Sequence, residues 1–414
     1  MRVVYLNPVA ALGGAERSLL DLIAALQGRA AGGGEPFEPH LVCGEEGPLV
    51  AAARAQGVEV QVQPLPAGLS QLGDSSLAGG SLGGSLRGAL RFAQAAPLAA
   101  LQAHGYARRL AATLRELRPD WIHSNALKTH LMTPAFAEVA PVAWHLRDAV
   151  GQRRIARELL GRVAPKARIG IGISRYVVRD ARAHLPRLPL VAVENAIDTA
   201  TFSPEGEVAD LDALAGAPPL SQRALRIGLV ATYGRWKGQD VFLRALGELA
   251  RRAPQSSWRA YVIGGPIYRT AGSQWTQSEL QALAIDAGLS GRVAFVPFQA
   301  EPAPVFRALD VVVHASTRPE PFGRTIAEAM ACEKALVVSA AGGAAELFSE
   351  GRQALGVSPG DAGGLAAALG RLVSDPELRR SLGRAAGRQA RTRFDRARLG
   401  REVGSVYRAY RAAP

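Results

Sequence analysis

The chain has 414 residues, 48 % of them hydrophobic, and so exceeds what one compact core holds; two domains of about 200 residues each are expected. Its two cysteines, Cys43 and Cys332, are far apart and show no metal-ligand spacing, which excludes a disulfide scaffold and indicates a reducing compartment. The net charge of +13 is concentrated: 147–187 carries a local +8 and 379–414 a local +9, leaving the remainder at −4. Basic helix-forming segments favour anionic surfaces, although arginine-rich composition alone gives the same counts. No zinc-finger, RNA-binding or helix-turn-helix signature accompanies the charge, so nucleic acid is not expected as a partner.

From the N-terminus, Met1-Arg-Val-Val-Tyr-Leu6 reads as a first strand and not as a signal peptide. Short β-branched runs follow at 40–43, 58–62, 121–123, 142–145, 169–173 and 191–193. Helical patterns lie between most of them, at 16–26, 106–117 and 175–183. The Gly/Ser/Leu-rich stretch 64–88 reads as a loop. Five Pro and Gly breakers within 200–223 mark that stretch as a domain linker. The alternation then resumes, with strands at 226–230, 259–263, 293–296, 311–314 and 336–339 and helices at 240–252, 277–287, 303–308 and 361–373. A last helix is expected over 390–410, burying Phe394, Leu399, Val403, Val406, Tyr407 and Tyr410 on one side. Fully apolar strands separated by helices imply parallel sheets covered on both faces. The expected architecture is therefore α/β: two Rossmann-like doubly wound domains facing across a cleft, 1–205 and 206–392, with a C-terminal helix, 393–414, returning to the first. No apolar window reaches the roughly 18 residues of a membrane span; the expected location is cytoplasmic, with peripheral contact at the inner membrane face as an extension.

Chemistry gathers at the strand ends, where open α/β sheets place their ligands. The first strand runs into Gly13-Gly14 ahead of a helix, allowing close backbone approach and favouring negative charge. This is not a Gly-x-Gly-x-x-Gly fingerprint, so NAD and FAD have no support. His123 and His145 end strands; either is structural or faces the cleft, and the adjoining Arg147 and Asp148 favour a task for His145. Gly264-Gly265 and Gly342-Gly343 end two strands of the second half. Arg235 and Lys237 occupy a Gly-flanked turn suited to pyrophosphate. Glu320 lies in a strand-to-helix loop and Glu328 one turn into the helix, flanking the amides of Phe322, Gly323, Arg324 and Thr325. Two acids around free amides suit a ligand combining hydroxyls with phosphate, such as a nucleotide sugar; a solvated loop acid and a helix-face acid are the alternative. No Asp-x-Asp pair is present for metal-assisted diphosphate binding, and no metal site is expected.

In order and spacing these motifs resemble glycosyltransferase family 4, retaining enzymes of the GT-B fold. The resemblance covers nearly the whole chain. It rests on Glu320-Pro-Phe-Gly-Arg-Thr-Ile-Ala-Glu328 followed by Gly342-Gly-Ala-Ala-Glu346, with support from Gly13-Gly-Ala-Glu-Arg17, Trp144-His-Leu-Arg-Asp148, Ile173-Ser174, Asn195-Ala-Ile-Asp198 and Trp236-Lys-Gly-Gln239.

The resemblance implies that Glu320 holds the donor sugar's hydroxyls with the amides of Phe322 and Gly323, and that Glu328 binds the ribose. Lys237 would contact the diphosphate, Gly14 the donor phosphate or the acceptor, and His145 would stand near the reacting centre. The implied reaction is retaining hexosyl transfer from a UDP- or GDP-sugar to a glycan or lipid-linked acceptor hydroxyl, without metal or other cofactor, by front-face attack. Two departures qualify it: Thr232 stands where the family usually has an arginine, and Asn195-Ala196 replaces Asn-Gly. A GT-B nucleotide-sugar epimerase or hydrolase, or a non-catalytic binder, is the competing reading; nucleotide release that rises with acceptor separates transferase from binder.

Overall fold

The computed structural model describes residues 1–27, 35–66, 86–152, 154–221, 223–266 and 272–411. Most of the Gly/Ser/Leu-rich stretch 64–88, including the first Gly-Ser-Leu repeat and all but Leu86 of the second, lies outside the described residues. The chain divides into two compact units, Met1–Ala196 with Arg396–Pro414, and Ile197–Asp395.

The first unit is built on a parallel sheet of seven strands: β1 (Arg2–Asn7), β2 (Glu38–Cys43), β3 (Glu59–Val62), β4 (Trp121–Ser124), β5 (Val142–Leu146), β6 (Ile169–Gly172) and β7 (Leu190–Ala192). Their order is β3-β2-β1-β4-β5-β6-β7. All residues of β4, β5 and β6 are buried, as a sheet covered on both faces requires. The C-terminal helix Arg396–Arg411 belongs to this unit, burying Leu399, Val403, Val406 and Tyr407. It approaches the first helix, Gly14–Gln27, so closely that a Cβ on Gly400 would stand 2.7 Å from the Ala25 carbonyl oxygen.

The second unit carries six parallel strands: β8 (Leu225–Val230), β9 (Trp258–Ile263), β10 (Val293–Val296), β11 (Val311–His314), β12 (Ala335–Ser339) and β13 (Leu355–Val357). Their order is β10-β9-β8-β11-β12-β13. In both sheets the order reverses beside the first strand, between β1 and β4 and between β8 and β11. Such switch points open a crevice at the carboxyl ends of the two strands.

Three expectations need correction. The stretch 200–223 is no free linker, because the Arg307 guanidinium donates to the carbonyls of Thr201, Ser203 and Glu207. Asp212 within it accepts from the Tyr261 hydroxyl at 2.7 Å. The first crossing between units therefore falls at residue 196, not 205. The single helix expected over 390–410 is two helices, Pro376–Arg393 and Arg396–Arg411. At the break, the Phe394 carbonyl accepts from the Ile197 N–H at 2.8 Å, and Asp395 accepts from the Thr199 hydroxyl. Phe394 thus packs in the second unit, edge-on to Phe322 at 5.9 Å. The helix expected over 106–117 begins at Leu86, and the helices Pro48–Ala55, Leu127–Leu131 and Arg154–Val163 were not anticipated. Among the described residues no helix is long and apolar enough to cross a membrane.

Candidate functional site

The switch point of the second unit brings two loops together. After β8 the chain makes a 3₁₀ turn, Arg235–Lys237, and leaves it through Gly238 at φ 75°. A Cβ there would stand 1.9 Å from the Ala315 carbonyl oxygen, so only glycine lets the turn lie against the exit of β11. The Thr317 N–H donates to the Trp236 carbonyl at 2.8 Å and fastens the two segments. Lys237 Nζ consequently reaches 2.5 Å from Glu320 Oε1, with its ammonium 3.8 Å from the centre of the Trp236 ring.

Glu320 is fixed from the other side by the loop after β12. Its N–H donates to Ala341 O at 3.3 Å, and its carbonyl accepts from the Gly343 N–H at 2.6 Å. Between them Gly342 adopts φ 68°, where a Cβ would stand 2.5 Å from Glu320 O. The backbone of the acid is therefore set by glycine geometry on a neighbouring strand. The residue is only 5 % exposed. Oε1 is held by Lys237 and approached by His314 Nε2 at 3.4 Å, while Oε2 is buried without a hydrogen-bond partner among the described residues. Burial alone would raise this carboxyl, but the Lys237 charge and the His314 hydrogen bond outweigh it and pull the pKa down to about 2. The group is a carboxylate with one oxygen anchored and the other unused, which is costly unless a ligand donates to it.

Gly323, at φ 99°, caps the helix Arg324–Ala331. The N–H groups of Phe322, Gly323 and Thr325 have no backbone partner among the described residues, as helix starts require. Glu328 is buried, and its Oε1 accepts from Arg324 Nε at 2.7 Å one turn earlier. Arg324 thus supplies a neutralising charge as well as a helix-start position.

Arg235 is placed otherwise than the sequence suggests. Its guanidinium pairs with Glu279 at 2.7 Å and lies over the Trp275 ring at 3.8 Å, so it is engaged away from Lys237. Gly265 accepts from the Tyr233 N–H at 3.0 Å, but the glycine requirement falls on its neighbour Gly264, whose added Cβ would stand 2.0 Å from Ala231 O. Thr232, where the resembled family carries arginine, has a buried hydroxyl with no partner among the described residues and brings no charge.

In the first unit β1 ends at Asn7 and the first helix starts at Gly14, where a Cβ would meet nothing within 4 Å. The Gly13 N–H donates to Glu16 Oε2 at 3.1 Å. His145, in β5, is fully buried; its Nδ1 lies 3.0 Å from His123 Nε2, and its own Nε2 has no partner among the described residues. Burial first, and the Arg147 charge second, hold its pKa well below the usual imidazole range, so the ring is neutral. Arg147 itself donates to Asn125 and Asn195. The Asn195-Ala196 turn is not left-handed: among the described residues Arg118 and Glu333 are the non-glycines with positive φ.

Sequence reading missed His314 as a partner of Glu320 and Tyr407 as a partner of His123. His314 carried a signal, a histidine ending the strand that leads to Glu320. Tyr407 carried none, since 284 residues separate it from His123.

Residues 218–389 match the family described as Glycosyl transferases group 1. The chain is 32 % identical over 231 residues to the lipopolysaccharide core biosynthesis mannosyltransferase LpcC of Rhizobium leguminosarum bv. viciae, a match covering 55 % of this chain and 62 % of that protein. It is likewise 32 % identical over 241 residues to the GDP-mannose-dependent alpha-(1-6)-phosphatidylinositol monomannoside mannosyltransferase of Mycolicibacterium smegmatis, covering 55 % of this chain and 59 % of that one. The matches thus span about three fifths of these relatives' length. Among solved structures, Anabaena Alr3699/HepE in complex with UDP-glucose superimposes with a TM-score of 0.76 at 21 % identity, covering 99 % of this chain and all of that one. Sucrose-phosphate synthase from Thermosynechococcus elongatus gives 0.75 at 20 %, covering 100 % of both chains. The likeness establishes the GT-B fold, with its two parallel-sheet Rossmann-like domains.

Proposed function

We propose that the protein is a retaining glycosyltransferase of family 4 that moves a hexosyl group from a UDP- or GDP-sugar to an acceptor hydroxyl in cell-envelope glycan or glycolipid synthesis. The observation that carries this reading is Glu320: an ionised, buried carboxylate with Oε1 on Lys237 and Oε2 unpartnered, at the switch point and beside helix-start amides. Sugar hydroxyls are the donors that such an oxygen lacks.

In this reading Oε2 of Glu320 accepts from the donor sugar, and the amides of Phe322, Gly323 and Thr325 face the phosphates. Lys237 shares its charge between Glu320 and the departing diphosphate, and Glu328, steadied by Arg324, accepts from the ribose. Charge on the leaving diphosphate is met by Lys237 and helix amides, with no role assigned to a metal. Gly14 leaves room for phosphate or acceptor in the first unit, where neutral His145 is the candidate for a hydrogen bond to substrate. Arg235 is left out, because Glu279 and Trp275 occupy it, and Gly265 contributes backbone only. Without a candidate enzyme nucleophile at the anomeric carbon, the acceptor hydroxyl attacks from the face that the diphosphate leaves, its proton passing to the departing phosphate oxygen as the sugar–phosphate C–O bond breaks, which retains configuration. The relatives named above, a lipopolysaccharide-core and a phosphatidylinositol-mannoside mannosyltransferase, support an envelope acceptor.

Two measurements test the proposal. Melting shifts with UDP, GDP and their hexose conjugates should single out one base, since a ligand bound only to the native state stabilises it. Release of free nucleotide from that donor should then rise when a glycan or lipid-linked acceptor is added. Release indifferent to every acceptor would point to a hydrolase or epimerase instead.

Contact with an anionic membrane belongs to the same proposal, resting on exposed Arg162, Lys166, Arg175, Arg179, Arg182 and Arg187 in the first unit. Of the arginines of 379–414, those up to Arg393 lie in the second unit and those from Arg396 on in the first. Several of the C-terminal arginines are paired, Arg391 with Glu333 and Arg411 with Glu35 among them. Co-sedimentation with anionic vesicles should be strong at low salt and fade as salt rises; no binding even at low salt would remove the membrane from the proposal.

A further inference from the structure

Three adjacent strands of the second sheet, in the order β8-β11-β12, bring their carboxyl ends to one carboxylate. Lys237 comes from the turn after β8, His314 is the last residue of β11, and the loop after β12 holds the Glu320 backbone. Both side-chain partners converge on Oε1, the lysine Nζ at 2.5 Å and the imidazole Nε2 at 3.4 Å. His314 is 7 % exposed, and its Nδ1 is buried without a partner among the described residues. The lysine supplies charge. What the imidazole adds depends on where its hydrogen sits.

Nε2 has a second neighbour, the Ser316 hydroxyl oxygen at 3.2 Å, so two arrangements compete. With the hydrogen on Nε2, the ring donates towards Glu320 Oε1 and Ser316 Oγ, and Nδ1 is left as an unmet acceptor. With it on Nδ1 alone, the Ser316 O–H donates to Nε2, a buried N–H is left unmet, and the Nε2 lone pair faces the carboxylate. An ionised carboxylate only accepts, so the second arrangement turns an attraction at 3.4 Å into a repulsion. A buried N–H without a partner is also the rarer omission in folded chains. The hydrogen therefore sits on Nε2. The depressed pKa of Glu320 agrees, since the hydrogen bond from His314 is one of its causes.

The two donors hold the oxygen differently. A lysine ammonium is a point charge on a flexible stem with three rotating donors, and alone it lets the carboxylate turn about the contact. The imidazole is a rigid ring rooted in β11, every residue of which is buried, and it donates in one direction. At 3.4 Å its bond is long, so it directs the carboxylate more than it stabilises it. We propose that His314 is a positioning residue whose Nε2–H, acting with Lys237 on Oε1, keeps Oε2 of Glu320 turned towards the hydroxyls of the donor sugar. The identity of that ligand rests on the glycosyl-transfer reading; the hydrogen on Nε2 and the grip on Oε1 do not.

The experiment is long-range ¹⁵N–¹H NMR of the histidine rings of the full chain, with His314 assigned by the signals that vanish in His314→Gln. The glutamine amide nitrogen reaches the place of Nε2 and keeps a donor there, whereas His314→Leu keeps bulk and removes the donor. In the unaltered protein Nε2 of His314 should carry the hydrogen. In His314→Leu the ¹³C carboxyl signal of Glu320 should move. Turnover should fall about ten- to a hundredfold, the cost of losing a group that orients another or of a small misplacement at a reacting centre. Affinity for the free nucleoside diphosphate should be unchanged, and His314→Gln should restore most of the turnover and the carboxyl signal. A hydrogen on Nδ1 alone overturns the proposal and needs no variant to fold. Full turnover in His314→Leu overturns it too, as does a His314→Gln no better than His314→Leu, which would make the histidine a packing residue. Should the ring and carboxyl signals behave as expected while no sugar nucleotide is turned over, the grip on Glu320 stands and the transfer reading falls.

Discussion

Replacing Glu320 with Gln should lower turnover by about a hundred- to a thousandfold, the range seen when one pre-organised hydrogen-bonding group is removed from a transition state. Affinity for the free nucleoside diphosphate should stay nearly intact. The side chain has one oxygen on Lys237 and one unpartnered oxygen; glutamine keeps its volume but removes the charge and, at one position, the acceptor. Glu328→Ala should do the reverse, weakening nucleotide binding by about 1.5–3 kcal/mol, the worth of hydrogen bonds to a charged group. Calorimetry with the diphosphate and steady-state rates with the whole donor read both variants. Equal loss of affinity and turnover in Glu320→Gln would mean that this acid does not grip the sugar, and the two roles assigned from the loop and helix positions would have to be given up.

The strands were legible because parallel strands buried on both faces are written as unbroken apolar runs. Of the thirteen strands among the described residues, twelve were expected near their observed places; β13, Leu355–Val357, was missed. The helix Pro376–Arg393 was hidden for a different reason. Its buried face is made of Leu382, Gly383, Ala386, Gly387 and Ala390, small residues that carry little hydrophobic signal but let it approach Glu333, whose carbonyl oxygen would stand 2.2 Å from a Cβ on Gly383. At the candidate site, Glu320, Glu328 and Lys237 stood out in the sequence as strand-end chemistry. Their pairing was not. That Lys237 would meet Glu320 depends on Gly238 and Gly342 bringing three loops within contact, which local pattern does not encode. Arg235 shows the converse: a cation in the right turn is drawn off by Glu279, 44 residues onward.

Lys237→Ala should cost the second unit about 3 kcal/mol at neutral pH, the low end for breaking a buried pair, because the lysine retains 20 % exposure. The pH dependence carries the sharper test. In the unaltered protein the folded pKa of Glu320, about 2, lies below the ordinary 4.5. The pair therefore contributes stability above about pH 4.5 that is lost as pH falls towards 2. Two groups face the carboxylate oxygen, Lys237 at 2.5 Å and His314 at 3.4 Å. Without the lysine, burial, the largest influence on this carboxyl, acts against His314 alone and should carry the pKa above its ordinary value. The sign then reverses: Lys237→Ala should suffer least in acid, and its deficit should grow as pH rises through the new pKa. Adding Glu320→Gln to Lys237→Ala removes the stranded charge and should recover most of the loss at neutral pH. Urea unfolding of the unaltered protein and the two variants from about pH 4 to about pH 8 reads all of this. A deficit independent of pH, or a double variant no more stable than the single one, would show that Lys237 acts through packing on Trp236 and not through the charge of Glu320, and would remove the electrostatic basis on which the donor site is assigned.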